Sequence, residues 1–241
     1  MNPNLQALIF DVDGTLAETE RHGHLPAFNA AFAEFALPWR WDEELYDRLL
    51  AVAGGKERLR FFAEQHDPDF LARPDADELI AAVHRSKTRR YQQLVAGGGI
   101  PLRPGVARLI GEARAAGLRL SIATTTAPDN VGALLRAALA PEAESWFDAI
   151  GAGDVVPKKK PAPDVYLWVL ARLGLPAAAC LAIEDSAIGL KASLGAGLPT
   201  VVAESQYTAG EDFSGALAVL PDLAKTTLAQ LAALANQNLS L

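Results

Sequence analysis

A single cysteine, Cys180, in 241 residues leaves no partner for an internal disulfide and too few thiols for a multi-cysteine zinc site. That usage suits a reducing compartment. The start of the chain has no basic stretch followed by an apolar one, and no run reaches the roughly 18 apolar residues of a membrane span. The sequence therefore predicts a cytosolic, membrane-free protein. Positive charge is also short: 22 Lys and Arg face 29 Asp and Glu, for a formal charge of −7. With no overall basic field to hold a nucleic acid or an anionic membrane, any anionic ligand has to be caught by local donors. Histidine is missing from the second half of the chain. All four, His22, His24, His66 and His84, come early, and Ser186 has no nucleophile-elbow sequence around it, which argues against a Ser-His-Asp hydrolase. Gly14 falls at the fourth rather than the sixth place of an EF-hand loop. "GGKE" at 54–57 lacks the upstream glycine and the following Ser or Thr of a P-loop.

Apolar residues make up 50% of the chain, enough for one large domain or two modest ones. Residues 5–10 are short, continuous and apolar before a glycine turn, as in a buried strand. From 18 to about 96 the pattern is helical, and in "AFNAAFAEFAL" Phe28, Phe32 and Phe35 fall at helical spacing as a core stripe. "AGGGIPLRPG" reads as a flexible connection. Beyond it, helices are expected near 106–116, 130–138, 163–173 and 187–196, alternating with strands at 118–123, 180–183 and 200–203. A last amphipathic helix covers 223–235. Alternation of this kind implies βαβ units. The fold expected is α/β: a Rossmann-like parallel-sheet core from 1–16 and 98–241, with an inserted α-helical cap at 17–97.

In parallel sheets of this type ligands sit beyond the carboxyl ends of the strands, and those positions form a consistent set here. The first strand runs into Asp11 and Asp13 in "LIFDVDGTLAET", the second into Thr124 and Thr125, and a later one into Glu184 and Asp185. Residues i and i+2 of an extended chain point the same way, so Asp11 and Asp13 repel unless a cation binds or one keeps a proton. Lys160, before a proline in "KKKPAPDVY", offers a nearby positive charge, whereas Lys158 and Lys159 read as solvated. A hard divalent ion such as Mg²⁺ explains the carboxylates. With that charge offset, Asp11 is a nucleophile for phosphorus, and Asp13, kept protonated, is the general acid and then the base.

"DVDGT", Thr124 after its strand, Lys160 in "KKKPAP" and "IED" at 183–185 resemble, in order, the four motifs of the haloacid dehalogenase-like (HAD) phosphatases. The resemblance covers nearly the whole chain and points to the subgroup with a helical cap after the first strand. It implies Mg²⁺ held by the Asp11 carboxylate, the Asp13 carbonyl and Asp185, with Glu184 in or near the shell. It also implies that a histidine placed like His24 faces the leaving group. More narrowly, "ETERHGH", "GGKERL" and "PKKKPAPDVY" resemble a subgroup that removes one phosphate from xylulose-1,5-bisphosphate, a rubisco inhibitor.

Several positions keep two readings. Gly54, Gly55 and Lys56 either open an exposed helix or bind a distal phosphate at its N-terminus with help from Arg58. Glu18 either meets a sugar hydroxyl or caps the first inserted helix. His66 and His84, in polar helical surroundings, read as surface residues, and His22 carries no functional assignment. The expected partner is a small sugar phosphate bound by a monomer. Rival readings are a capped phosphosugar mutase, a phosphatase for another small metabolite, and a non-catalytic binding protein.

Overall fold

A computed structural model describes residues 5–237; the ends of the expected core segments, 1–4 and 238–241, lie outside the described residues. Six strands form one parallel sheet: β1 (Ala7–Phe10), β2 (Arg119–Ala123), β3 (Ala149–Gly151), β4 (Cys180–Glu184), β5 (Thr200–Ala203) and β6 (Ala218–Leu220). Their order is β3-β2-β1-β4-β5-β6. β1, β4 and β5 are buried throughout, as strands covered on both faces must be. The expected strands are present with small shifts at their ends. Missing from the sequence reading are β3 and β6, three-residue edge strands too short to show a period.

Residues 20–96 fold as helices. A π-helical turn, Glu20–His24, runs into α1 (Leu25–Glu34), followed by α2 (Glu43–Leu49), α3 (Gly55–His66), α4 (Pro68–Leu71) and α5 (Ala76–Ala96). Asp42 caps α2 by accepting from Leu45 N at 2.8 Å, and Asp67 caps α4. This segment has its own core, built on Phe28, Phe32, Trp39, Trp41, Tyr46, Phe62 and Phe70. Phe28 lies 4.7 Å from Trp41 and Trp39 lies 4.6 Å from Phe70, measured between ring centroids. Burying a phenylalanine contributes roughly 1.5–3 kcal/mol, so such a cluster can hold short helices that would fray alone. Of the expected stripe, Phe28 and Phe32 are fully buried and Phe35 sits at the rim.

The other helices cover the sheet. On one face lie α6 (Val106–Ala115), α7 (Pro128–Ala138) and α10 (Leu228–Gln237); on the other lie α8 (Asp164–Leu173) and α9 (Ala187–Gly195). Strand alternation divides β1 between them. Leu8 and Phe10 join the first layer, Ala7 and Ile9 the second. The last helix begins at 228 rather than 223 because Thr227 and Gln230 form a capping box: Thr227 N donates to Gln230 Oε1 at 2.8 Å, and Gln230 N donates back to Thr227 Oγ1 at 3.3 Å.

Two chain crossings join the helical insertion to the sheet, and they are tied together. Ala17 bridges Leu102, Arg103 N donates to Leu16 O at 2.8 Å, and the Arg103 guanidinium meets Glu18 at 3.0 Å. Tyr91 and Val95 of α5 and Ala27 of α1 extend the sheet-side core into the insertion.

Candidate active site

The strand parity that sends Ile9 towards α8 does the same for Asp11, two residues further along. Phe10 pairs with Ile183, so Asp11 and Glu184 are neighbours one step later on the α8 side, where Lys160 and Tyr166 approach. Lys160 Nζ donates to Asp11 Oδ1 and to Glu184 Oε1, each at 2.6 Å. Tyr166 donates its hydroxyl to the same Glu184 oxygen, and Asp185 N lies 3.3 Å from the other. Glu184 is fully buried and tightly enclosed: a Cβ built on Gly189 would stand 2.0 Å from it. Burial pushes Asp11 up to about 8 against the pull of Lys160, with Glu184 and Asp13 adding to the rise. Burial opposes the charge on Lys160, but Asp11 and Glu184 outweigh it and raise its pKa. Asp185, buried beside Asp11 and Glu184, is raised well above the carboxylate range.

Asp11, Asp13, Thr124, Thr125, Lys160 and Asp185 line one cleft of about 400 Å³. Thr124 is buried, and its Oγ1 accepts from Thr126 N at 3.2 Å.

Asp13 belongs to a different network. Its Oδ1 accepts from Thr19 Oγ1 at 2.5 Å and from His24 Nε2 at 2.9 Å. Lys87 Nζ lies 2.9 Å from His24 Nδ1; an ammonium only donates, so Nδ1 accepts and Nε2 carries the proton given to Asp13. Gly23 lets this turn press against α5, since a Cβ there would meet Ile100 and Tyr91 at 2.6 and 2.8 Å. His24 then stacks on Tyr91 with centroids 4.3 Å apart. The expected proton on Asp13 is corrected here. Burial works to raise its pKa, but His24, Thr19 and Lys87 prevail and hold it well below the usual range.

The insertion supplies the opposite wall. Gly54, Gly55, Lys56, His84, Thr125, Asp154 and Lys159 surround a small recess at the start of α3. Lys56 pairs with Asp154, which Lys159 also meets at 2.7 Å; the two lysines pull Asp154 down to about 2. Lys159 is therefore engaged rather than solvated. His84 is no surface residue either. It packs where a Cβ on Gly55 would be, 2.6 Å from its Nε2, and burial with Lys87 and Lys56 lowers it to about 3. Arg58 lines the cleft but is braced by Leu49 O at 3.2 Å and Tyr46 Oη at 2.9 Å. Glu18 neither caps a helix nor lines the cleft, because Arg103 holds it at the crossing. Sequence reasoning gave no role to Glu20, Lys87, Tyr166 or Tyr207, although Glu20 lies within "ETERHGH" and Tyr166 within "KPAPDVY".

Mg²⁺ is the ion the motifs imply, and the donor set suits it. Asp11, Glu184 and Asp185 each offer a carboxylate oxygen, all within 4.8 Å of one another. A hard oxygen set of this kind favours Mg²⁺ over softer ions. Gly14, at φ +80°, makes the space, since a Cβ there would lie 2.0 Å from Asp185 Oδ2. Asp11 and Asp185 would hold the ion, with Glu184 beside them in the same cluster. Glu184 accepts from Lys160 and Tyr166 on one oxygen and faces Asp185 N with the other, an arrangement that orients the lysine.

A parallel sheet with paired carboxylates and a lysine at its carboxyl edge defines a class, and residues 5–197 match the family model for haloacid dehalogenase-like hydrolases. The chain belongs to that family and is a phosphatase. Among individual proteins it is similar to the plasmid CbbY protein of Cupriavidus necator, 58% identical over 91% of this chain and 86% of that one. It is also similar to a CbbY variant from Rhodobacter sphaeroides crystallised with xylulose-(1,5)bisphosphate. That similarity is 46% identity over 94% of this chain and 99% of the other, with a TM-score of 0.86. β-Phosphoglucomutase of Clostridium difficile, with a TM-score of 0.81 at 16% identity over 98% and 100% of the two chains, shares the fold.

Proposed function

We propose that this chain is an Mg²⁺-dependent phosphatase that removes one phosphate from a sugar bisphosphate of the xylulose-1,5-bisphosphate type through an aspartyl phosphate on Asp11. One observation carries the reading: Lys160 stands 2.6 Å from both Asp11 and Glu184, with Asp185 beside them at the strand ends. The likeness to CbbY supports the substrate class.

In this reading Lys160 fixes one oxygen of Asp11 and offsets its charge, leaving the other to attack phosphorus. The hydroxyls of Thr124 and Thr125 hold the phosphoryl oxygens. Mg²⁺, when bound by Asp11 and Asp185, neutralises charge on the transferring group. Asp13 carries the proton traffic. Its ionised state, held by Thr19 and His24, suits the base that takes a proton from water in the second half of the cycle. For the first half it needs a proton, and a relay balances the transfer: Lys87 Nζ gives one to His24 Nδ1 as His24 Nε2 passes its own to Asp13, leaving Lys87 neutral and His24 unchanged in charge.

Residues 17–97 act as a cap over the cleft, moving about the crossings at 16–19 and 97–100 and excluding water during transfer. The Gly54 and Gly55 amides and Lys56 take the distal phosphate once Lys56 leaves Asp154. The same reading has the enzyme working as a cytosolic monomer. Sugar mono- and bisphosphates assayed with Mg²⁺ and with EDTA are the test: free phosphate should appear as fast as substrate disappears, and only with the metal. Conversion to an isomer without free phosphate would mean a mutase instead.

A further inference from the structure

Arg103 stands on the second chain crossing and is buried, yet it does not line the cleft. A buried guanidinium is costly unless its donors are met, and here all three nitrogens are engaged. Nε meets Glu18 at 3.0 Å. Nη1 donates to Gly14 O and, at 2.7 Å, to Ala203 O, while Nη2 donates to Glu204 O and, at 3.2 Å, to Pro221 O. One planar fork therefore gathers the turn after β1, the chain leaving β5 and β6 and, through Glu18, the first crossing.

Two of those carbonyls belong to the loops that enclose Asp185. A Cβ on Gly14 would lie 2.0 Å from Asp185 Oδ2 and 3.2 Å from Ser205 Cβ, so the three residues pack without slack. Ser205, the residue after Glu204, lines the cleft, and its hydroxyl engages the Asp185 carboxyl. The guanidinium thus sets the spacing of the two loops on either side of this carboxylate. A lysine would not, since one ammonium has no fixed fork to span four carbonyls on three segments. We propose that Arg103 is a positioning residue for the metal site, holding the Gly14 and Ser205 loops so that Asp185 is aimed at the ion. The inference rests on the reading in which Asp11 and Asp185 hold Mg²⁺, and it makes one side chain common to both chain crossings and to the metal end of the site.

The test is calorimetric titration of Mg²⁺ into the substrate-free protein, read beside the Tm in EDTA. Arg103→Lys keeps the charge and loses the fork; its Kd for Mg²⁺ is expected to rise about tenfold or more, the scale of a lost partner behind a metal ligand. Ser205→Ala leaves the crossings untouched and is expected to raise Kd about threefold, as loss of one hydrogen bond does. Glu18→Gln removes the ion pair but not the carbonyl contacts, and its Kd is expected to stay within about twofold of the wild type. An Arg103→Lys protein that melts lower with an unchanged Kd makes the residue structural only and overturns the proposal. An unchanged Kd for Ser205→Ala overturns it too, and decides the matter if Arg103→Lys does not fold. A tenfold rise for Glu18→Gln would assign the effect to the ion pair instead of the carbonyls and also overturn it. Wild-type protein that takes up no Mg²⁺ removes the metal reading and the proposal with it, whereas wild-type uptake with unaltered variants removes the proposal alone.

Discussion

Asp11 and Asp13 are two residues apart, yet their environments push them in opposite directions. Burial beside Glu184 raises Asp11 despite Lys160, and His24, Thr19 and Lys87 hold Asp13 low. Pairs whose environments separate their pKa values divide nucleophile from acid or base. Asp11→Asn should leave the fold intact and lower kcat by at least about 10³-fold; substantial phosphate release by that variant would remove Asp11 from the nucleophile's role. Gly14 is the next sensitive position. Alanine there is strained at φ +80° and would press on Asp185. Gly14→Ala should raise the Mg²⁺ concentration for half-maximal activity by about 10-fold or more, on the scale of disturbed ligand support. An unchanged metal titration would mean that Asp185 is not a ligand. The acidic positions were legible because each follows a strand. Lys87 was not legible, because a long charged side chain on a helix ordinarily faces water and only packing turns this one inward; Glu20 stood within "ETERHGH" with no role of its own.

At the scale of elements, α3 presents Gly54, Gly55 and Lys56 to the recess at its start rather than to the cleft itself, and Asp154 already holds the lysine. Lys56→Ala should raise KM for a bisphosphate about tenfold, as loss of a charge-assisted contact does, and leave KM for a monophosphate nearly unchanged. Equal effects on both would return Lys56 to a purely structural role. The helices and the longer strands followed from periodicity. β3 and β6 did not, because three residues at a sheet edge carry no pattern of their own. The start of α10 was misplaced because apolar spacing runs past its capping box at Thr227 and Gln230. His84 was misread for a related reason: its polar neighbours in sequence suggested solvent, whereas α3 covers it through a glycine.

For the molecule as a whole, Mg²⁺ held by these buried carboxylates, as proposed, would couple metal binding to pH. In EDTA, the folded state keeps a proton on Asp11 up to about pH 8, while the unfolded chain releases it near 3.8. Between those values the folded state binds more protons, so this group makes stability fall as pH rises. Asp185 acts in the same direction. His84 acts oppositely, its contribution lost as pH falls from 6.5 towards 3, so the carboxylate trend is clearest above pH 6.5. The Tm in EDTA should therefore decline from pH 6.5 to 8, and the rise in Tm on adding Mg²⁺ should grow over the same range. An Mg²⁺ increment independent of pH would contradict protonated ligands. The sequence by itself determined the parallel sheet and the acidic, hydroxyl and lysine positions at its edge, because strand period and strand-end placement are local properties of the chain. The tertiary structure alone decided which carboxylate is pushed up by burial and which is held down by its partners, that Glu184 serves Lys160, and that Glu20 rather than Glu18 faces the cleft. Those outcomes depend on burial and on partners tens of residues away, which no local pattern records.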